Sequence, residues 1–89
     1  MIYKTVTIVN KLGLHARASA KLVNQASRFL SKIELKHGNQ TVNSKSIMGV
    51  MMLGAHRGMV LELMIDGEDE QAAAEAIITL IENRFGEMG

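Results

Sequence analysis

His15 is the residue of this sequence best suited to covalent chemistry, since histidine is a recognised nucleophile that is partly neutral near neutral pH. It follows Gly13 in a loop and directly precedes a helical pattern that starts at Ala16. The first N–H groups of a helix lack partners and lie at the positive end of its dipole, so they stabilise an anion. Arg17 adds a planar cation suited to phosphate oxygens. This grouping predicts that the segment handles a phosphoryl group.

The local spacing also allows His15 to have no chemical role. A histidine in a glycine-containing loop before a helix is often only a polar surface residue, and it can also take the place of a capping residue. His37 and His56 do not extend the site to a metal centre, because the three histidines match no common ligand spacing and the chain has no cysteine. We therefore expect no metal site and no cofactor.

Ser46 is the second residue of interest. It opens a short apolar segment that ends at Gly54, and this pattern predicts a two-turn helix with Ser46 as its N-cap. A capping serine stabilises a helix by about 0.5–2 kcal/mol with no regulatory role at all. On local context alone, Ser46 is therefore a structural residue.

A group of apolar residues near these two positions is expected to be exposed and is a candidate docking patch for partner proteins. Methionine adapts to partners of different shape, as a protein with several partners requires. The alternative is that some of these residues face the core, which we expect in part for Ile47 or Val50. The candidate docking residues are Leu14, Ile47, Met48, Met51 and Met52.

The elements that must position these residues follow from hydrophobic periodicity. Alternation with period two predicts strands over residues 2–8, 32–36, a short run around 42, and 59–65, with a hairpin turn at Gly38-Asn39. Helical spacing predicts helices over residues 16–28, 46–53, and from 68–70 to 86. On the first helix the apolar stripe is expected to comprise Ala16, Ala20, Leu22, Val23, Ala26, Ser27 and Leu30.

The order βαββαβα and the one-sided strands predict an α+β fold. We expect an open-faced β-sandwich, in which a four-stranded antiparallel sheet is covered on one face by three helices. A chain of 89 residues has room for one core, so residues 1–89 are expected to form a single domain. Acidic residues 68–70 are expected to favour the start of the last helix through its dipole.

Composition argues against several classes of protein. The net charge is +1 with no basic tract, and the only aromatic residues are Tyr3, Phe29 and Phe85, so nucleic-acid binding of the RRM type is not expected. The first residues alternate and lack a long apolar core, so neither a signal peptide nor membrane insertion is expected. Without cysteine, disulfides are impossible, and we expect a cytoplasmic protein.

Two motifs then narrow the function. The segment Asn10-Lys11-Leu12-Gly13-Leu14-His15-Ala16-Arg17 resembles the phosphorylated-histidine signature of the HPr family, the phosphocarriers of the bacterial phosphoenolpyruvate-dependent phosphotransferase system. The segment Lys45-Ser46-Ile47-Met48-Gly49-Val50-Met51 resembles the regulatory serine motif of the same family. The two motifs and the element order together cover the whole chain, so the resemblance implies an HPr-like fold.

The resemblance assigns roles to individual residues. It implies that His15 accepts a phosphoryl group from phospho-enzyme I and donates it to a IIA domain or protein, with Arg17 steadying the group. It also implies that Ser46 is the target of an ATP-dependent HPr serine kinase/phosphorylase. The chain would then be a carrier with a covalent phosphohistidine intermediate, not a free-standing enzyme, and we expect a monomer.

Two points stay open at this stage. The first is an alternative function, a regulatory binding module in which phosphorylation of Ser46 gates partner proteins and sugar uptake is secondary. The second is Ala18, since many family members have proline at this position. Alanine leaves the first helical turn less preorganised but restores one N–H donor.

Overall fold

Four strands form one antiparallel sheet in the computed structural model, which describes all residues 1–89. The strands are β1 (Ile2–Thr7), β2 (Lys32–His37), β3 (Gln40–Asn43) and β4 (Val60–Asp66), and they lie in the order β1-β4-β2-β3. The hairpin between β2 and β3 pairs His37 with Gln40, as the turn at Gly38-Asn39 predicts. At the other edge of the sheet, β1 pairs with β4, and the loop that carries His15 follows β1 directly.

Three helices complete the fold: α1 (Ala16–Ala26), α2 (Ile47–Met52) and α3 (Glu70–Glu82), followed by a short turn at Arg84–Gly86. The order βαββαβα and the open four-stranded sheet with three helices are confirmed. The ends of the helices differ from the predicted ones by a few residues. The largest difference is at the carboxyl end, where α3 stops at Glu82 and a separate turn carries Phe85.

The core lies between the sheet and the helices. Alternate residues of β4 are fully buried, as are the apolar residues that α3 turns towards the sheet, whereas Glu62 and the other outward residues of β4 are exposed or half-buried. The buried residues of these two elements are Leu61, Leu63, Ile65, Ala73, Ala74, Ile77 and Ile81. One-sided alternation in the strands thus produces one covered sheet face.

The apolar stripe expected on α1 is partly wrong. Ala16 is exposed because it lies at the first helical position, and Leu30 is 82% exposed because the helix ends at Ala26. The residues that α1 buries are Ala18, Ser19, Leu22 and Ala26. The true stripe is rotated from the predicted one towards Ala18, and buried Ser19 is accommodated because its hydroxyl donates to the Leu14 carbonyl at 2.9 Å.

Asp69 joins the start of α3 to the turn before β2. It lies at the N-cap position, but its side chain makes no capping bond. Its carboxylate instead accepts hydrogen bonds from the N–H groups of Leu30 at 2.8 Å and Ser31 at 2.9 Å, and from the Ser31 hydroxyl at 2.5 Å. These donors, the hydroxyl foremost, hold the pKa of Asp69 below its usual value. Asp69 therefore connects the start of α3 to the turn before β2 through its side-chain hydrogen bonds.

No helix in the structure has the length and apolar character needed to cross a membrane.

Candidate functional site

His15 is the N-cap residue of α1, and its backbone is extended (φ −71°, ψ 178°). Its carbonyl accepts the first helical hydrogen bond, from the N–H of Ser19 at 2.8 Å, while its imidazole makes no capping bond. The N–H groups of Ala16, Arg17 and Ala18 have no acceptor within the protein. An anion beside His15 would therefore meet unpaired donors and the positive end of the helix dipole.

The loop before α1 is fixed by Gly13. This residue has φ +63°, and a Cβ atom there would lie 2.4 Å from the Ala55 carbonyl oxygen and 2.8 Å from the His56 Cα. The next N–H, of Leu14, donates to the same carbonyl at 2.9 Å. Only glycine allows this approach, so the loop that carries His15 is held against the segment that follows α2.

A carboxylate contacts the ring of His15. The Nε2 atom lies 2.5 Å from Oε2 of Glu87, and the two side chains are 29% and 18% exposed. The other carboxylate oxygen, Oε1, accepts a hydrogen bond from Nδ2 of Asn10 at 3.0 Å, and the same Nδ2 donates to the Gly13 carbonyl at 2.8 Å. The hydrogen bond from Asn10, the contact with His15 and the charge of Lys21 lower the pKa of Glu87, so this carboxyl is ionised at neutral pH.

An unusual turn delivers Glu87 to this position. Arg84 and Phe85 have φ values of 56° and 54°, and Gly86 follows with 77°, so three consecutive residues have left-handed backbone. For residues other than glycine this conformation costs energy and persists only when surrounding contacts enforce it. Here the Phe85 side chain is buried and its carbonyl accepts a hydrogen bond from Nζ of Lys21 at 2.7 Å.

The imidazole opens onto a shallow groove of about 440 Å³ that we call the His15 groove. Its charged side chains are mostly basic, since Lys11, Arg17 and Lys21 lie there with Glu87 as the single acidic side chain. Arg17 is exposed, and its guanidinium has no hydrogen bond or ion pair within the protein. The groove therefore offers a histidine, an unengaged arginine and a net positive charge to a bound anion.

Ser46 is the N-cap of α2, as its position before the apolar segment predicts. Its backbone is extended, and its Oγ accepts a hydrogen bond from the N–H of Gly49 at 3.2 Å. Ser46 is half-buried and does not line the His15 groove. The two motif residues therefore do not share one groove, although the helices that they cap, α1 and α2, pack against each other.

The candidate docking residues divide into two groups. Ile47, Met48, Met51 and Met52 are all exposed on α2, with Met48 69% exposed. The exposure expected of Leu14 is wrong: Leu14 is only 5% exposed and belongs to the core. Its N–H and carbonyl bind Ala55 and Ser19, which turns its side chain inward. Val50, considered above as a partly buried residue, is the member of α2 that faces the core.

Two residues of the site were missed from the sequence. Asn10 lies within the first motif, but nothing in the spacing indicates that its fully buried amide joins the histidine loop to a carboxylate. Glu87 is 72 residues from His15, in a polar stretch with no recognisable pattern. No group of three or more potential ligands is arranged to hold a metal ion.

Comparison with known proteins agrees on one family. A family model described as "PTS HPr component phosphorylation site" matches residues 2–83, a range that ends before Glu87. Phosphocarrier protein HPr of Cupriavidus necator is 53% identical over 87 residues, which cover 98% of each chain.

Solved structures give the same result. The crystal structure of HPr-C-His from Thermoanaerobacter tengcongensis superposes with a TM-score of 0.96 at 47% identity over all of both chains. A crystal structure of an HPr dimer from the same organism has a TM-score of 0.76 at 46% identity, covering 98% of this chain and 100% of that one.

Proposed function

This chain belongs to the HPr family of phosphocarrier proteins of the phosphotransferase system, and from this premise we propose that His15 is the residue that carries the phosphoryl group. Family membership implies enzyme I and IIA proteins as its partners. The observation that carries the assignment of His15 is its place beside the unpaired N–H groups at the start of α1. The neighbouring Arg17 supplies an unengaged cation.

We propose Nδ1 as the atom that accepts the phosphoryl group. An ionised carboxylate can only accept hydrogen bonds, so the proton between Glu87 and His15 belongs to Nε2. In that tautomer the lone pair lies on Nδ1, which makes no hydrogen bond in the structure. During transfer the Nδ1 lone pair forms the new bond to phosphorus, while the bond from phosphorus to the donor's leaving atom breaks and that atom keeps its electron pair.

Arg17 and the helix start are proposed to hold the phosphoryl oxygens. The guanidinium can donate two parallel hydrogen bonds to oxygens of one phosphoryl group, and the free N–H groups of Ala16, Arg17 and Ala18 supply further donors. The N–H of Ala18 is the donor that a proline at this position would remove. The one acidic side chain of the groove, Glu87, has its two carboxylate oxygens engaged by Asn10 and His15 and is not free to activate water, which supports carriage of the group over its hydrolysis.

The test is phosphorylation by enzyme I and phosphoenolpyruvate. We expect an acid-labile phosphoprotein from the wild type, no label on His15→Ala, and labelling of Arg17→Ala that is slower by about 10- to 100-fold, the range for losing a charge-assisted contact. Circular dichroism of each variant controls for folding. Equal labelling of His15→Ala would contradict the assignment.

We further propose that Ser46 is a regulatory phosphorylation site for an HPr serine kinase/phosphorylase. The hydroxyl lies at the edge of the exposed α2 surface, so a phosphate there would place about −1.5 to −2 charges beside Met48 and its neighbours. Partners that bury this surface would be repelled while the fold stays intact. The regulatory module considered in the sequence analysis is in this view a second role of the same protein.

The exposed residues of α2, namely Ile47, Met48, Met51 and Met52, are proposed as the docking surface for enzyme I and IIA proteins. Their exposure and the basic residues of the neighbouring His15 groove support binding to surfaces that are apolar at the centre and acidic at the rim. We propose that the carrier acts as a monomer, because a stable dimer through α2 would cover the surface that its partners need. We also propose that it acts in the cytoplasm, where a chain without cysteine is at home.

A further inference from the structure

We propose that Glu87 is a positioning residue for phosphoryl transfer, which holds His15 in the reactive tautomer and stabilises the positive charge that its ring acquires, and that Asn10 orients Glu87. This inference rests on the assignment of His15 as the carrier. It goes beyond that assignment because it gives a role to the carboxyl-terminal turn, which neither motif includes.

The contacts fix the carboxylate in one place. Both of its oxygens are engaged, Oε2 by Nε2 of His15 and Oε1 by Nδ2 of Asn10. Asn10 is fully buried, and the same Nδ2 also binds the carbonyl of Gly13, in the loop that carries His15. Asn10 thus fixes the Glu87 carboxylate relative to the loop that carries His15. The carboxylate in turn holds the imidazole in one orientation and one tautomer.

The charge balance explains why a carboxylate is useful there. When Nδ1 of a neutral imidazole bonds to phosphorus, the ring becomes cationic and keeps its proton on Nε2. That proton points at Glu87, so the pair becomes a charge-assisted hydrogen bond as the ring gains charge. The carboxylate also repels the phosphoryl group, but this group bonds to the far nitrogen and lies beside the cations of the groove: Lys11, Arg17 and Lys21.

The backbone gives a second, independent argument. Arg84 and Phe85 adopt left-handed backbone without being glycine, and this strained turn is what brings Glu87 back to the start of α1. Buried Phe85 and the hydrogen bond from Lys21 to its carbonyl hold the turn in place. Strain of this kind clusters where a side chain must be delivered to a functional position.

The first experiment measures the tautomer in the unphosphorylated protein. Nitrogen-15 chemical shifts of the imidazole at neutral pH should show the proton on Nε2 in the wild type and a mixture of both tautomers in Glu87→Gln. Glu68→Gln is the matched control, because it makes the same change at an exposed residue with no hydrogen bond or ion pair. Identical ring shifts in all three proteins would overturn the proposal.

The second experiment measures transfer from phospho-enzyme I at a series of carrier concentrations. We expect Glu87→Gln to be labelled on His15 to completion, with a maximal rate lower by about fivefold, the upper end for a partly exposed ion pair. The half-saturating concentration should be unchanged, because Glu87 acts on the ring and not on docking. Wild-type kinetics in Glu87→Gln would contradict the role of Glu87 while leaving His15 as the carrier. Labelling of His15→Ala would contradict the carrier assignment and, with it, the role of Glu87.

Discussion

At the scale of single residues, one oxygen atom of Ser46 serves both structure and the proposed regulation. Its Oγ satisfies the N–H of Gly49 in a helix of only six residues, which has few hydrogen bonds of its own. A phosphate on the same oxygen keeps acceptor atoms at the helix start, where negative charge is favourable. Phosphorylation should therefore change the α2 surface without unfolding α2.

Removal of this hydroxyl should be visible in stability. Ser46→Ala is expected to lower the free energy of unfolding by about 1 kcal/mol, because a free N–H of α2 loses its acceptor. In a domain of this size that is a fall in Tm of about 4–8 °C. Thermal unfolding followed by circular dichroism measures it, and Ser46→Asp, which retains a capping oxygen, is the matched variant expected to stay close to wild type. A Tm for Ser46→Ala equal to that of wild type would show that the cap contributes nothing.

The spacing of the two motifs placed His15, Arg17 and Ser46 at helix starts, so each has a short-range reason for its position, and the family resemblance supplied the roles proposed for them. Glu87 had none, since its approach to His15 depends on the backbone angles of Arg84 and Phe85, far along the chain. The wrong expectation for Leu14 has a similar cause. Its hydrogen bonds to Ala55 and Ser19 are tertiary contacts that no local pattern shows.

At the scale of elements, the loop between β1 and α1 depends on glycine more than the turn after α2 does. Gly13 and Gly54 have nearly the same φ, +63° and +59°, but a Cβ at Gly54 would meet no atom within 4 Å. The two positions therefore separate the cost of left-handed backbone from the cost of a collision with neighbouring backbone.

We expect Gly54→Ala to lower the free energy of unfolding by about 1 kcal/mol, the cost of left-handed backbone for alanine. Gly13→Ala should cost about 3 kcal/mol or more, because the new Cβ also displaces the Ala55 carbonyl from the hydrogen bond with Leu14. Urea unfolding of both variants measures the difference. Equal losses would show that the loop moves aside freely and is not held rigidly against the segment after α2.

The order of the elements followed from periodicity because each strand buries one face, and period two identifies that face directly. The face of α1 was harder to predict. A short helix with several alanines offers more than one plausible stripe, and the correct one was decided by packing that buries Ala18 and Ser19. Helix ends were set by tertiary contacts, as at Asp69, whose side chain binds the turn before β2 instead of capping α3.

At the scale of the whole molecule, Asp69 makes stability depend on pH. Its folded-state pKa lies below the usual value of 3.8 because the hydroxyl of Ser31 and the N–H of Leu30 favour the ionised form. A carboxyl group with a lowered pKa stabilises the fold when ionised. This contribution is complete above pH 3.8 and is lost as the pH falls through the lower folded-state pKa.

Asp69→Asn should therefore have a lower Tm than wild type at pH 7, since the amide gives up one acceptor oxygen and its charge. The gap in Tm should narrow as the pH falls below 3.8, where the wild type loses the same interactions. Thermal unfolding across pH 2–7 compares the two proteins, with Glu68→Gln as the control for a lost exposed charge. A gap that stays constant with pH would contradict the role assigned to the Asp69 carboxylate.

The left-handed turn at Arg84–Gly86 brings Glu87 into contact with His15, and thermodynamic reciprocity gives this contact a consequence. If Glu87 binds the charged ring of the phosphorylated carrier more tightly than the neutral ring, then phosphorylation must stabilise the turn by the same free energy. The state of His15 would then be transmitted to a surface distant in sequence, so a partner that contacts residues 84–87 could distinguish the loaded carrier from the empty one without touching the phosphoryl group.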